Sequence, residues 1–109
     1  MENSSIDNSQ KWETGKIEGF LSKNLLQLDN GSVKMVKVSP KAVYPEHLHP
    51  QKTEYAYVIS GTAVFEINGV AKHGKCGTFH VFPINSKHKI SNQTDSDCLL
   101  LIGAISERK

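Results

Sequence analysis

Two histidines and a glutamate lie close together near the middle of the chain, as His47, His49 and Glu54. Side chains of a strand alternate between two faces, so the His-x-His pair would project from one face, about 7 Å apart along the backbone. Imidazole rings at that spacing can converge on one metal ion, and Glu54 can return to the same point from the start of the next strand. The pair alone leaves two alternatives open, because such histidines can also be exposed or hydrogen-bonded within a core.

Two other histidines lie in segments of different character. His73 belongs to the polar segment 71–75, which predicts an exposed turn without a functional role. His80 belongs to the apolar segment 78–82, where it shares a strand face with Thr78 and Phe82. We expect no ligand role for His80, and a position beside the ligands or on a pocket wall is left open.

The elements that must position these residues are short strands. From Trp12 onward, apolar segments alternate with turn residues, and nowhere does a 3.6-residue period persist for three turns. Asn30-Gly31 and Asn68-Gly69 each lie between apolar segments, and Asn-Gly favours the type I′ turn of a β-hairpin. About nine strands fit this pattern, among them residues 25–29, 32–38, 55–60, 62–67, 70–72, 78–82, 87–91 and 98–105. So many strands leave no room for helical crossovers, and the sequence predicts an all-β sandwich or closed barrel.

The composition is that of one small globular domain. Of 109 residues, 38% are hydrophobic and 22% charged, which suits one packed core over residues 12–109. Residues 1–11 are mostly polar, and we expect a flexible N-terminal arm there. The formal net charge is only +2 and the basic residues are scattered, which argues against a nucleic-acid partner. Without a secretory signal pattern or an apolar segment near the roughly 20 residues of a membrane span, we expect no membrane partner and a cytoplasmic protein.

The spacing of the metal-ligand candidates continues as H-x-H-x4-E-x6-G and ends at Gly61. This stretch resembles the first motif of the cupin family, G-x5-H-x-H-x3,4-E-x6-G. The second motif of that family, G-x5-P-x-G-x2-H-x3-N, is similar to a later stretch that supplies Gly77, Pro83, His88 and Asn92. Two spaced motifs in the family's order make the resemblance specific.

Two positions depart from these motifs, and both are glycines in the family. Lys41 takes the place of the first, and we expect it in a type I turn after Pro40, where no positive φ is required. Asn85 takes the place of the second. Because asparagine readily substitutes for glycine in the left-handed conformation, we expect Asn85 to preserve the turn before His88.

The resemblance implies a fold and a ligand set. The fold is a double-stranded β-helix, or jelly-roll barrel, in which His47, His49, Glu54 and His88 hold one divalent transition-metal ion and Asn92 is structural. Three neutral imidazoles and one carboxylate suit Fe, Mn, Ni, Cu or Zn. In an octahedral ion they would leave two positions for water, oxygen or substrate. No further catalytic residue and no organic cofactor is assigned.

Three functions are compatible with such a site. Apart from His80, the faces that carry the ligands hold no second acid or base, so we favour a metal-dependent enzyme of dioxygenase type acting on a small molecule. A metal-dependent sugar isomerase or epimerase is the second hypothesis, and it gains if His80 faces the metal. A non-catalytic module that binds a metal and a small molecule is the third.

Two tyrosines favour association of the chain with itself. Tyr55 and Tyr57 alternate with Glu54, so they point outward if Glu54 points into the barrel. Aromatic side chains on the outside of a strand suit a subunit interface, and small cupin domains are commonly dimers. We therefore expect a homodimer.

Overall fold

The computed structural model describes residues 5–7 and 9–106, and within these residues it contains strands and turns but no helix. No membrane-spanning helix is therefore found in the described part of the chain. The predicted N-terminal arm includes residues 1–4 and 8, which lie outside the described residues. The strands are β1 (Glu13–Thr14), β2 (Phe20–Leu28), β3 (Gly31–Val38), β4 (Val43–His47), β5 (Lys52–Ser60), β6 (Ala63–Ile67), β7 (Val70–Gly74), β8 (Phe79–Phe82), β9 (His88–Ser91) and β10 (Cys98–Ser106).

The strands form two antiparallel sheets. The order in the six-stranded sheet is β1-β2-β3-β10-β5-β8, and the order in the four-stranded sheet is β4-β9-β6-β7. From β3 onward the chain crosses between the sheets at almost every connection, with the β6-β7 hairpin as the exception. This arrangement is a jelly roll, and it confirms the predicted all-β class.

The core lies between the sheets because alternate residues of each strand point inward. On β5, Ala56 and Val58 are fully buried, whereas Tyr57 between them is exposed. The same alternation on β3 and β10 supplies most of the remaining buried residues of this sheet, and β2 and β8 add Phe20 and Phe82. The four-stranded sheet adds Ala63, Phe65 and Ile90 to this buried cluster.

The first hairpin is longer than the apolar pattern predicts. β2 begins at Phe20, whereas the pattern indicates a strand only over residues 25–29. The pairing of β2 with β3 shifts register between Asn24 and Leu26. Such a bulge interrupts the two-residue alternation by which a strand is recognised in a sequence.

The two Asn-Gly dipeptides adopt different conformations. Asn68 and Gly69 have φ angles of 50° and 84°, as the predicted type I′ turn requires. The same prediction for Asn30-Gly31 is wrong, since neither residue has a positive φ and Gly31 begins β3. Gly31 instead allows β10 to pass close to its backbone, because a Cβ there would lie 2.8 Å from the carbonyl oxygen of Ala104.

The two positions that replace family glycines both have positive φ angles. Asn85 has a φ of 64°, in agreement with the expected left-handed conformation. Lys41 has a φ of 68°, so the expectation that this turn needs no positive φ is wrong. The Ala42 amide donates to the Ser39 carbonyl (3.1 Å) to close the turn, and Lys41 Nζ donates to the Gln93 carbonyl (3.0 Å). These contacts hold a lysine in a conformation that glycine adopts more readily.

Asn92 fixes the connection between β9 and β10. Its side chain is buried, and Nδ2 donates to the carbonyls of Val38 (3.0 Å) and Ser96 (2.7 Å). Its Oδ1 accepts hydrogen bonds from the amide and hydroxyl of Thr94. A buried amide with all of these partners ties β9 to β3, which agrees with the structural role that the resemblance implies.

Substitution of Lys41 tests whether its backbone is strained. A non-glycine residue in the left-handed region costs about 1–2 kcal/mol, and the conformational freedom of glycine offsets about 0.5–1 kcal/mol of this. Lys41→Gly should therefore have a higher free energy of unfolding than Lys41→Ala, by up to about 1.5 kcal/mol. Lys41→Ala is the control, because it retains the strain and loses the hydrogen bond to Gln93. Urea denaturation followed by circular dichroism measures the difference, and equal stability of the two variants would contradict the strain.

Candidate metal centre

Four ionisable side chains from both sheets meet between the sheets. His47 is the last residue of β4 and lies opposite His88, the first residue of β9. His49 follows β4 by two residues, and Glu54 projects from β5 in the other sheet. The cluster therefore depends on three segments that only the folded barrel brings together.

The Glu54 carboxylate lies at the centre of this cluster. Its Oε1 is 3.1 Å from His88 Nε2 and 3.3 Å from His49 Nε2. The centroid of the His47 ring is 4.2 Å from that of His88 and 5.1 Å from that of His49. One nitrogen or oxygen atom of each residue lies within 4.8 Å of the others, a spacing at which the four could hold one metal ion.

Backbone carbonyls orient two of the imidazole rings. Nδ1 of His47 lies 2.8 Å from the Pro45 carbonyl oxygen, and Nδ1 of His88 lies 3.3 Å from that of Ser86. Since a carbonyl oxygen can only accept, we assign the proton of each ring to Nδ1. Each Nε2 then carries a lone pair, as a metal ligand requires.

The contact between His88 and Glu54 needs a proton or a metal cation between the two atoms. A neutral His88 with its proton on Nδ1 presents an Nε2 lone pair to the carboxylate oxygen at 3.1 Å. Two lone pairs at this distance repel each other, and either a proton on Nε2 or a metal cation between the two atoms removes the repulsion. The donor set and its arrangement therefore fit a divalent cation.

Aromatic rings pack against two of the candidate ligands, His88 and His47. His88 is only 2% exposed and stacks on Phe82, with ring centroids 4.6 Å apart and planes 13° apart. The Tyr44 ring lies 4.7 Å from the ring of His47. Such an apolar shell restricts the rotamers of the rings and keeps water from the back of the site.

Glu54 and His49 are in the protonation states that a metal requires. Burial opposes ionisation of Glu54, but the hydrogen bond with His88 and the charges of His49 and His88 outweigh it and hold its pKa below the ordinary value. Desolvation lowers the pKa of His49 below 6.5, and Lys52 adds to this effect, although Glu54 opposes it. At neutral pH Glu54 is therefore anionic and His49 is neutral.

The other histidines lie away from this cluster. His73 is exposed, as predicted, but it lies on strand β7 and not in a turn. His80 is half-buried on β8, where its Nε2 lies 2.9 Å from Thr78 Oγ1 and its ring stacks on Phe65 at 4.3 Å. His80 is not part of the cavity wall beside the four side chains. His80 therefore does not support the isomerase hypothesis, which would gain only if this histidine faced the metal.

A cavity of about 290 Å³ lies beside the four side chains, all of which form part of its wall. This volume is at the small end of the range for small-molecule sites, roughly 300–1,000 Å³. Most of the remaining wall is apolar or aromatic, and it includes Ile17, Phe20, Leu21, Val36, Tyr44, Phe82, Ile90 and Ile102. The cavity therefore suits a small molecule with access to the ligand cluster.

Three lysines on the cavity wall were missed by the sequence reasoning: Lys16, Lys34 and Lys52. Lys34 shares the inward face of β3 with the buried Val36, and Lys52 shares the inward face of β5 with Glu54. Strand alternation contains this signal. Alternation alone is a weak indication, because lysines are uncommon on inward strand faces. No local feature of the sequence indicates that the barrel has a cavity at this end.

The family model of the cupin domain matches residues 34–103 of this chain. That match covers both motifs and the connection between them. No match was found among curated protein sequences.

Several solved structures share the fold. KdgF from Halomonas sp. is 21% identical, with a TM-score of 0.85 over 95% of this chain and 93% of its own. A predicted oxalate decarboxylase from Thermotoga maritima is 21% identical, with a TM-score of 0.86 over 94% of this chain and 98% of its own. A cupin-superfamily sugar phosphate isomerase from Silicibacter pomeroyi is also 21% identical, with a TM-score of 0.84 over 96% and 76%. At this identity the likeness shows the fold alone, and it confirms the double-stranded β-helix.

Substitution of the four residues tests the ligand set. His47→Ala, His49→Ala and His88→Ala each remove one imidazole, and Glu54→Gln removes the anionic donor. Each should weaken Zn²⁺ binding by more than the roughly 10- to 100-fold that is typical of residues behind the ligands. His73→Ala is the matched control and should bind like the wild type. Titration calorimetry measures the affinities, and equal losses for His73→Ala and His88→Ala would contradict the assignment.

Acidification should weaken metal binding, because protons compete for the imidazole nitrogens. Burial holds the pKa of His49 below the ordinary value of 6.5. Protons therefore compete with the metal for this ring only at a lower pH than for an ordinary histidine. The Zn²⁺ affinity should change little between about pH 8 and 7 and fall at least about tenfold by about pH 5. An affinity that is constant over this range would show that the histidines are not ligands.

Proposed function

The chain belongs to the cupin family, and we propose that it is a metal-dependent enzyme that acts on a small molecule held in the cavity. In this proposal His47, His49, Glu54 and His88 hold one divalent metal ion. The observation that carries it is that all four side chains lie on the wall of one cavity. A metal that only stabilised the fold would need no such access.

The donor set supports a first-row transition metal. Imidazole suits Zn, Cu, Fe and Ni, and a carboxylate is compatible with Mn as well. When bound, such an ion supplies Lewis-acid or redox chemistry to a molecule in the cavity. Glu54 contributes one negative charge and the three rings are neutral ligands, so the centre would retain a net positive charge.

We place a dioxygenase-type reaction first. The described residues of the cavity wall include no carboxylate besides Glu54 and no histidine besides the three of the cluster. His80 packs on Phe65 and is not on this wall. Proton transfer at carbon usually needs an additional acid or base, and the described wall offers only Tyr44 and the three lysines for this role. Oxygen chemistry at a metal needs fewer protein groups.

An isomerase or lyase is the second candidate, and Tyr44 is the residue that favours it. Tyr44 lies on the cavity wall next to His47, so its hydroxyl is a candidate proton donor or acceptor. Two proteins of similar structure are described as a sugar phosphate isomerase and a predicted oxalate decarboxylase. The first name denotes an isomerase, and a decarboxylase is a lyase.

Oxygen dependence separates the candidates. Protein purified without chelator is analysed for bound metal, reloaded with Fe²⁺ and incubated with a panel of small molecules under air and under nitrogen. Product formation with matching oxygen uptake, only under air, supports the dioxygenase. Conversion under nitrogen without change of mass supports an isomerase, and conversion with loss of a fragment supports a lyase. His88→Ala should abolish either activity, and tight binding without any conversion would contradict the enzyme proposal.

We also propose that the protein is a homodimer through the outer face of the six-stranded sheet. Tyr57 lies opposite Phe79 across β5 and β8, and Tyr55 lies opposite Val81. The exposed fractions of Tyr57, Phe79 and Val81 are 40%, 57% and 45%, so these side chains form an apolar patch at the edge of the sheet. Burial of such a patch against a second copy would remove it from water and cover the edge strand.

A charge within this patch should dissociate the dimer. Phe79→Lys places an ammonium group at its centre, and Val70→Lys places the same group at a 58% exposed residue of β7 in the other sheet. Light scattering should give twice the chain mass of 12.1 kDa for the wild type and Val70→Lys, and the chain mass for Phe79→Lys. A monomeric wild type at micromolar concentration would contradict the proposal, as would a Phe79→Lys variant that stays dimeric.

A further inference from the structure

The cavity carries positive charge that the metal ligands do not explain. Lys16, Lys34 and Lys52 line it, and they come from the β1-β2 connection, from β3 and from β5. Against these three ammonium groups, the described wall residues supply one carboxylate, that of Glu54. Glu54 already belongs to the metal cluster, so the wall has an excess of positive charge.

Lys34 is the most informative of the three because of its place on an inward strand face. It lies opposite Ile102 of β10, which is 8% exposed, and the next inward residue of β3 is Val36, which is 4% exposed. Lys34 is half-buried and lines the cavity, on a strand face that continues into the buried apolar residues Val36 and Val38. Charged side chains are uncommon on such inward faces. The charge at this position therefore indicates a role in the cavity.

Lys52 brings a second positive charge next to the cluster. It is two residues from Glu54 on the same strand, so the two side chains leave one face about 7 Å apart. The salt bridges among the described residues join Lys41 to Asp95 and two histidines to Glu54, and none involves a lysine of the cavity wall. The three ammonium groups are thus free to contact a bound molecule.

We propose that Lys16, Lys34 and Lys52 form an anion-binding subsite, so that the molecule accepted by the cavity carries a carboxylate or phosphate group. The two groups share the chemistry that matters here, an oxyanion that accepts charge-assisted hydrogen bonds from ammonium groups. Phe20 and Ile90 on the wall would contact the uncharged part of the molecule. This inference rests on the proposed small-molecule function and names its substrate class.

Three probes of nearly equal shape test the subsite: benzoate, phenyl phosphate and the neutral benzamide. Calorimetric titrations use metal-free protein and Zn²⁺-loaded protein in parallel. At least one anion should bind about tenfold or more tightly than benzamide in both forms, and the preferred anion identifies carboxylate or phosphate as the recognised group. Lys34→Met and Lys52→Met should each weaken that anion about tenfold and leave benzamide unchanged.

Matched variants separate charge from folding. Lys34→Arg retains the charge and should retain anion binding, and Lys72→Met, at an exposed residue of β7, should behave like the wild type. The proposal is overturned if benzamide binds as tightly as both anions, if no probe binds, or if a folded Lys34→Met variant keeps wild-type anion affinity. Anion binding that needs Zn²⁺ and ignores Lys34→Met would also overturn it, because the metal alone would then hold the anion. If Zn²⁺ does not bind but Lys34-dependent anion binding persists, the metal proposal fails and the subsite stands.

Discussion

The contacts that Glu54 makes with His49 and His88 connect the two sheets through charge rather than through apolar packing. A carboxylate between two sheets needs a partner for its charge, and the two imidazole nitrogens within 3.3 Å can hold a proton or a metal ion against it. The rings are in turn oriented by the carbonyls of Pro45 and Ser86 and by stacking on Phe82. The turn before β9 and the end of β4 therefore orient the candidate ligands as well as connecting the strands.

The inward faces of β3 and β5 change from charged to apolar residues along each strand. On β5 the inward residues run from Glu54 to Ala56 and Val58, and on β3 they run from Lys34 to Val36. Because the strands are antiparallel and in register through β10, the charged residues of β3 and β5 fall at the same end of the sheet. One end of the barrel supplies the packed core, and the other supplies the cavity and its charges. Stability and chemistry are thus divided between two ends of the same strands.

The parts of this site that follow a local pattern could be predicted from the sequence. Strand alternation places the His-x-His pair on one face and Tyr55 and Tyr57 on the other side from Glu54. The full set with His88 came from the resemblance to the two family motifs. The cavity lysines were missed because their convergence depends on register between β3, β10 and β5. Gly31 was misinterpreted because its close neighbour, Ala104, comes from a strand far along the chain. Lys41 was misinterpreted because tertiary hydrogen bonds outweigh the steric preference of a lysine for negative φ.

The central claim is that the four side chains bind one metal ion on the cavity wall. Anomalous diffraction from crystals soaked in Zn²⁺, with data on both sides of the zinc absorption edge, tests it most directly. The claim predicts one strong peak at about 2.0–2.2 Å from Nε2 of His47 and His88, a nitrogen of His49 and a carboxylate oxygen of Glu54. A peak bound by other residues, or no peak at this cluster in crystals that contain zinc elsewhere, would contradict it.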